Sequence, residues 1–120
     1  MRFGVFAKFD VRQRQVSNAI VIIPTYNERD NIVRVIETVF SLPKDFDVLI
    51  VDDGSPDGTA GLVRDLQSNF NTTAVTRLHL LEREGKKGLG TAYLAGFAYA
   101  LEKGYDYIME MDADFSHNPQ

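Results

Sequence analysis

Two runs of this chain, Ala19-Ile20-Val21-Ile22-Ile23 and Val48-Leu49-Ile50-Val51 behind Asp47, carry aliphatic side chains without alternation. Uninterrupted β-branched runs of this length suit strands buried on both faces. Pro24 is expected to stop the first, because proline lacks the N–H that a sheet ladder needs. Between the two runs, Ile32, Val33, Val35, Ile36, Val39 and Phe40 recur at helical spacing, ahead of Pro43. Leu62, Val63 and Leu66 mark a second helix. Residues 75–81 read as a third strand, and residues 82–90 as a charged, glycine-rich loop. Residues 91–103 return to a helical period, with Gly104 placed to cap the end. Residues 105–111 read as a fourth strand.

The predicted order is β-α-β-α-β-α-β with short connections. It implies an α/β, Rossmann-like doubly wound domain: a mostly parallel sheet with helices on both faces. Ligands of such sheets sit outside the carboxyl ends of the strands. Three polar segments fall at those ends: residues 24–28, 52–58 and 112–117. Residues 1–17 show no period and read as an N-terminal extension to a domain covering residues 18–120.

Composition narrows the partners. The 120 residues are 44% hydrophobic and 25% charged, which is ordinary for a globular domain with a core. A formal charge of −4 argues against nonspecific nucleic-acid binding. Cysteine is absent, which excludes disulfides and thiolate metal sites. No stretch has the length of a transmembrane helix, and the N-terminus lacks the form of a secretory signal, so a cytoplasmic location is expected.

Asp112-Ala113-Asp114 directly follows the last apolar run. In an extended strand, residues i and i+2 share a face. Two carboxylates about 4 Å apart repel by roughly 4 kcal/mol at an effective dielectric near 20. A divalent cation relieves that repulsion, and an oxygen-only donor set suits Mg²⁺ or Mn²⁺, which keep positions open for phosphates. Ser116 and His117 rank below the two aspartates as further ligands. In Pro24-Thr25-Tyr26-Asn27-Glu28, Tyr26 offers a flat face for a base or ribose and Glu28 a hydrogen-bond acceptor. The same residues also read as a plain strand-to-helix turn capped by Asn27 or Asp30. In Asp52-Asp53-Gly54-Ser55-Pro56-Asp57-Gly58-Thr59, alternation turns one of the two adjacent acids to the crevice and leaves the other to hold the turn. Asp57 or Thr59 is placed to cap the next helix. Arg83-Glu84-Gly85-Lys86-Lys87-Gly88-Leu89-Gly90-Thr91 reads equally as a diphosphate-approaching loop or as a solvated one.

Taken together, Pro-Thr-Tyr-Asn-Glu, Asp-Asp-Gly-Ser-Pro-Asp-Gly-Thr, Gly-Leu-Gly-Thr-Ala-Tyr and Asp-Ala-Asp-Phe-Ser-His occur here in one order. That set resembles the N-terminal half of a family 2 glycosyltransferase with a GT-A fold, nearest to the dolichol-phosphate (polyprenol-phosphate) mannosyltransferases. The resemblance covers residues 19–120. It implies that Pro24, Tyr26, Glu28, Val51 and Asp53 line a guanosine pocket, and that Asp112, Ala113 and Asp114 lie against the donor diphosphate. Asp112 and Asp114, with Ser116 as a third candidate, would hold Mg²⁺ or Mn²⁺. Gly88-Leu89-Gly90 would be mainly architectural.

The activity so implied is inverting transfer of mannose from GDP-mannose to dolichyl or polyprenyl phosphate, at the cytoplasmic face of a membrane, with peripheral membrane contact in the full-length protein. Relatives of this type are longer. The 120 residues are therefore expected to be a truncated form that is inactive by itself. Three other readings are a polyprenyl-phosphate glycosyltransferase with another donor such as UDP-glucose, a receiver-like signalling domain, and a nucleotide-binding module without catalysis.

Overall fold

The computed structural model of the protein describes residues 17–85 and 88–113. Its elements are β1 (Ala19–Thr25), α1 (Arg29–Phe40), β2 (Asp47–Asp52), α2 (Thr59–Phe70), β3 (Leu78–Glu82), α3 (Leu89–Glu102) and β4 (Tyr107–Glu110). The four strands form one parallel sheet in the order β3-β2-β1-β4. Winding runs outward from β1 to β3, and α3 then carries the chain back across to the far side of β1. The expected doubly wound α/β architecture is therefore present.

Strand alternation divides the core in two. Val21, Ile23, Val48, Ile50 and Leu78 face α1 and α2, meeting Ile32, Val35, Ile36, Val39 and Val63. Ile20, Ile22, Leu49 and Val51 face α3, meeting Ala92, Ala100 and Tyr105. Each fully buried aliphatic side chain contributes about 1.5–3 kcal/mol relative to exposure. The α3 side is the thinner layer, because α3 meets the sheet with small residues. A Cβ on Gly96 would lie 2.6 Å from Ile22 Cγ2 and 3.2 Å from Val51 Cγ2, so glycine sets the closeness of that contact.

Four boundaries differ from expectation. β1 continues through Pro24 to Thr25, with Pro24 in register with Val51. In a parallel ladder one strand offers alternate residues to each neighbour. The Ile22 carbonyl accepts from Met111 N–H and the Thr25 carbonyl from Asp53 N–H. Pro24 is thus out of the β2 ladder, and its missing N–H falls on the β4 side, where the ladder stops. β4 is accordingly short, Tyr107–Glu110 rather than 105–111, and Asp112 lies beyond the strand. Asp114, and with it the shared face expected for an extended 112–114 segment, lies outside the described residues. β3 begins at Leu78 rather than residue 75. Thr72 Oγ1 accepts from Ala74 and Val75 N–H, and Asn71 Oδ1 accepts from Arg77 and Leu78 N–H, so side chains hold this backbone in a turn. α3 starts at Leu89, two residues early. Its end agrees with expectation: Gly104 has φ 86°, Gly104 N–H donates to Leu101 O and Tyr105 N–H to Ala100 O, a Schellman cap.

At the amino-terminal edge of the sheet a polar chain is buried. Tyr105 O–H donates to Asp47 Oδ2, His79 Nε2 lies 3.1 Å from Tyr105 Oη, and His79 Nδ1 lies 2.7 Å from Tyr99 Oη. Since the Tyr105 proton is given to Asp47, the chain is consistent when His79 carries its proton on Nε2 and accepts from Tyr99. Burial pushes the Asp47 carboxyl up to about 6, against the pull of Tyr105 and Arg77. Burial, with Lys103 nearby, pushes His79 down to about 4.

Candidate functional site

Winding reverses between β1 and β4, and the carboxyl ends of these strands part there. Pro24, Thr25, Tyr26 and Glu28 after β1, Asp53 after β2, Gly88, Leu89 and Ala92 at the start of α3, and Asp112 and Ala113 after β4 line a cleft of about 250 Å³. Pro24, Tyr26, Glu28, Asp53, Asp112 and Ala113 are thus brought together. Val51 is not among them: it is fully buried, with its side chain packed towards α3. Asp114, Ser116 and His117 fall outside the described residues, as do Lys86 and Lys87.

The two adjacent acids divide their work. Asp52 is buried and turned to its own loop. It accepts from Thr25 Oγ1 at 2.6 Å, Ser55 N–H at 2.9 Å and Ser55 Oγ at 2.6 Å. Asp53 lines the cleft and takes a bidentate pair from Arg83, Nε to Oδ1 at 2.7 Å and Nη2 to Oδ2 at 3.0 Å. Arg83 also donates to Thr91 O and Thr91 Oγ1, both at 3.1 Å, which ties the end of β2 to the first turn of α3. Gly54 makes that closeness possible: it sits at φ +72°, and a Cβ there would lie 2.9 Å from Gly85 N.

Neither Asn27 nor Asp30 caps α1. The 55–59 loop does so from across the site: Thr59 Oγ1 accepts from Glu28 N–H at 3.0 Å and Asp57 Oδ2 from Arg29 N–H at 3.1 Å. Asp57 also accepts from Thr59 N–H, so one carboxylate serves the starts of both α1 and α2. A small burial penalty on Asp57 is outweighed by the hydrogen bonds from Thr59 and Arg29, which hold it below the ordinary carboxylate range. Asn27, at φ 58°, takes the left-handed turn that asparagine tolerates and directs the chain from β1 towards Glu28.

Asp112 is exposed at the cleft edge, and Tyr93 O–H donates to its Oδ1 at 3.1 Å. Burial, followed by this hydrogen bond and the charge of Asp112, pushes Tyr93 up to about 12, so the phenol keeps its proton at neutral pH. Among the described residues, no three carboxylate or imidazole side chains gather as a metal-holding group. The donor chemistry at the β4 end nevertheless suits a hard cation, since Asp112 offers only oxygen. Sequence reasoning passed over Arg83 as the partner of Asp53, and over Tyr93. The signal for Tyr93 was its place in Gly88-Leu89-Gly90-Thr91-Ala92-Tyr93, of which Gly88, Leu89 and Ala92 line the cleft as well.

A cleft placed where the winding reverses, with carboxylates from three strand ends, defines a ligand-binding α/β domain. More narrowly, the chain belongs to glycosyl transferase family 2, which it matches over residues 20–120. It is 45% identical over 107 residues to a polyprenol monophosphomannose synthase of Mycolicibacterium smegmatis, covering 89% of this chain and 39% of that protein. Against an undecaprenyl-phosphate mannosyltransferase of Micrococcus luteus it is 43% identical over 101 residues, covering 84% and 40%. The chain thus spans about two fifths of the length of these relatives. Among solved structures, the mannosyltransferase PcManGT from Pyrobaculum calidifontis, in complex with GDP-Man and Mn²⁺, superposes with a TM-score of 0.58 at 28% identity, covering 68% of this chain and 24% of that one. TarS 1-349 of S. aureus, in complex with UDP, gives 0.59 at 25% identity, covering 80% and 27%. The fold is of the GT-A type, and family membership displaces the receiver-like reading.

Proposed function

We infer that this chain provides the nucleotide-sugar half of an inverting glycosyltransferase that moves mannose from GDP-mannose to a polyprenyl or dolichyl phosphate. The observation that carries this reading is the 45% identity over 107 residues to the polyprenol monophosphomannose synthase. On this reading Tyr26 and Glu28, which line the cleft with Pro24 and Asp53, serve the base and ribose. Asp112 and Ala113, which line the cleft after β4, would meet the diphosphate. Asp112 and Asp114, with Ser116 as a third candidate, would hold Mg²⁺ or Mn²⁺. When bound, such a cation supplies neutralisation of the diphosphate's charge.

The chemistry suits a site without an evident general base. A lipid phosphate is already an anion at neutral pH, so no proton need be removed for it to attack the anomeric carbon. The new C–O bond forms as the bond to the GDP oxygen breaks, the electron pair leaves with GDP, and a single in-line displacement inverts the anomeric centre. A lipid acceptor places this work at the cytoplasmic face of a membrane, by peripheral contact. No helix among the described residues is long and apolar enough to cross one.

Titration calorimetry with Mn²⁺ tests the donor: GDP is expected to bind at least tenfold tighter than UDP. In the full-length protein, Asp114→Ala is expected to lower mannose transfer to polyprenyl phosphate by 100-fold or more, on the order of 2.7 kcal/mol of transition-state stabilisation. Equal affinity for UDP would move the donor assignment to a uridine sugar, the alternative favoured by the UDP complex of TarS. Full transfer by Asp114→Ala would remove the acidic tip from the mechanism.

A further inference from the structure

Asp112 has left the sheet. β4 ends at Glu110, and the last ladder bond is from Met111 N–H to Ile22 O. Its carboxylate is exposed, and the Tyr93 phenol, at 3.1 Å from Oδ1, is placed to orient it. Tyr93 sits in the first turns of α3, next to the fully buried Ala92, and its ring is half-buried against the α3-side core. That same part of α3 is tied through Thr91 and Arg83 to Asp53 on the opposite wall of the cleft. One stretch of helix therefore refers to both carboxylates.

We propose that Tyr93 is a positioning residue: its hydroxyl fixes the plane of the Asp112 carboxylate so that the carboxylate meets a divalent cation on a nucleoside diphosphate in one orientation. The proposal rests on the reading given under Proposed function. Phenylalanine at this position keeps the ring and its packing and removes the donor alone. Loss of an outer hydrogen bond to a metal-binding side chain typically weakens metal affinity 10- to 100-fold.

The test compares the intact protein with its Tyr93→Phe variant, reading Mn²⁺ affinity in the presence of GDP by electron paramagnetic resonance. GDP affinity without metal and the melting temperature are measured alongside. The expected result is about tenfold weaker Mn²⁺ binding with an altered spectrum of the bound ion, while metal-free GDP affinity and melting temperature stay within error. Unchanged Mn²⁺ affinity overturns the role of Tyr93 and leaves the functional reading standing. Equal losses in metal-free GDP binding and in Mn²⁺ binding also overturn it, because they show a packing role. If the unsubstituted protein binds GDP no better with Mn²⁺ than without, the functional reading falls and this inference falls with it.

Discussion

Asp47 is a carboxylate held where water does not reach. Its Oδ2 accepts from Tyr105, while Oδ1 is buried without a hydrogen-bonding partner among the described residues, as is Nε of the neighbouring Arg77. Its folded pKa, about 6, stands above the unfolded value of 3.8, so between these values the native state binds the extra proton. Any stability Asp47 lends is present in acid and is lost as pH rises through 6. Asp47→Asn removes the charge and keeps the shape. It is expected to raise stability at pH 8 by up to about 3 kcal/mol, a gain that shrinks to nothing near pH 4. Urea unfolding at the two pH values measures this. His79 works in the opposite sense: its folded value of about 4 lies below the ordinary value of 6.5, so its contribution is lost as pH falls through that window. The two trends offset one another in the native protein. Nothing in the residue pattern announced this chain. Asp47, His79 and the pair Tyr99 and Tyr105 come from three separate parts of the sequence, and only the register of β2 with β3 and the docking of α3 bring them together. The Asp53–Arg83 pair, 30 residues apart, was hidden for the same reason.

At the scale of elements, legibility followed burial. The aliphatic runs of β1 and β2 and the periodic face of α1 announced themselves, because a strand or helix buried on the core side shows it in its own residues. β3 was misjudged at its start, since Thr72 and Asn71 capture backbone N–H groups that hydrophobicity alone would assign to a strand. The cap of α1 lay in a different loop and had no local signal. Gly96 is the element-scale determinant on the α3 side. Alanine there would gain about 1 kcal/mol of helix propensity. Its methyl would press on Ile22 at 2.6 Å, and overpacking of that kind costs about 1–3 kcal/mol. Packing outweighs propensity where the opposing atom belongs to a β-branched side chain in a central strand. Gly96→Ala is therefore expected to lower stability by about 1 kcal/mol in denaturant unfolding, and a gain in stability would show that α3 lifts easily from the sheet.

For the whole molecule, the cleft is an outcome of topology, assembled from the ends of β1, β2 and β4 and the start of α3. Its position was legible from the order of elements alone. Its chemistry was legible only in the short polar strings, and strand alternation stops being a guide before Asp112, because β4 ends at Glu110. The reason lies at one residue. An imino acid at position 24 works as the stop on a zip. With no hydrogen to return to the Met111 carbonyl, β1 releases the neighbouring chain there, and the gap between the two is where a ligand finds room. Pro24→Val would restore that hydrogen and let the seam run one rung further. Amide hydrogen exchange is expected to slow at residue 113, and, on the proposed function, nucleotide affinity to fall as Asp112 is drawn towards the sheet. The mouth of this protein would then have been opened by an atom left out.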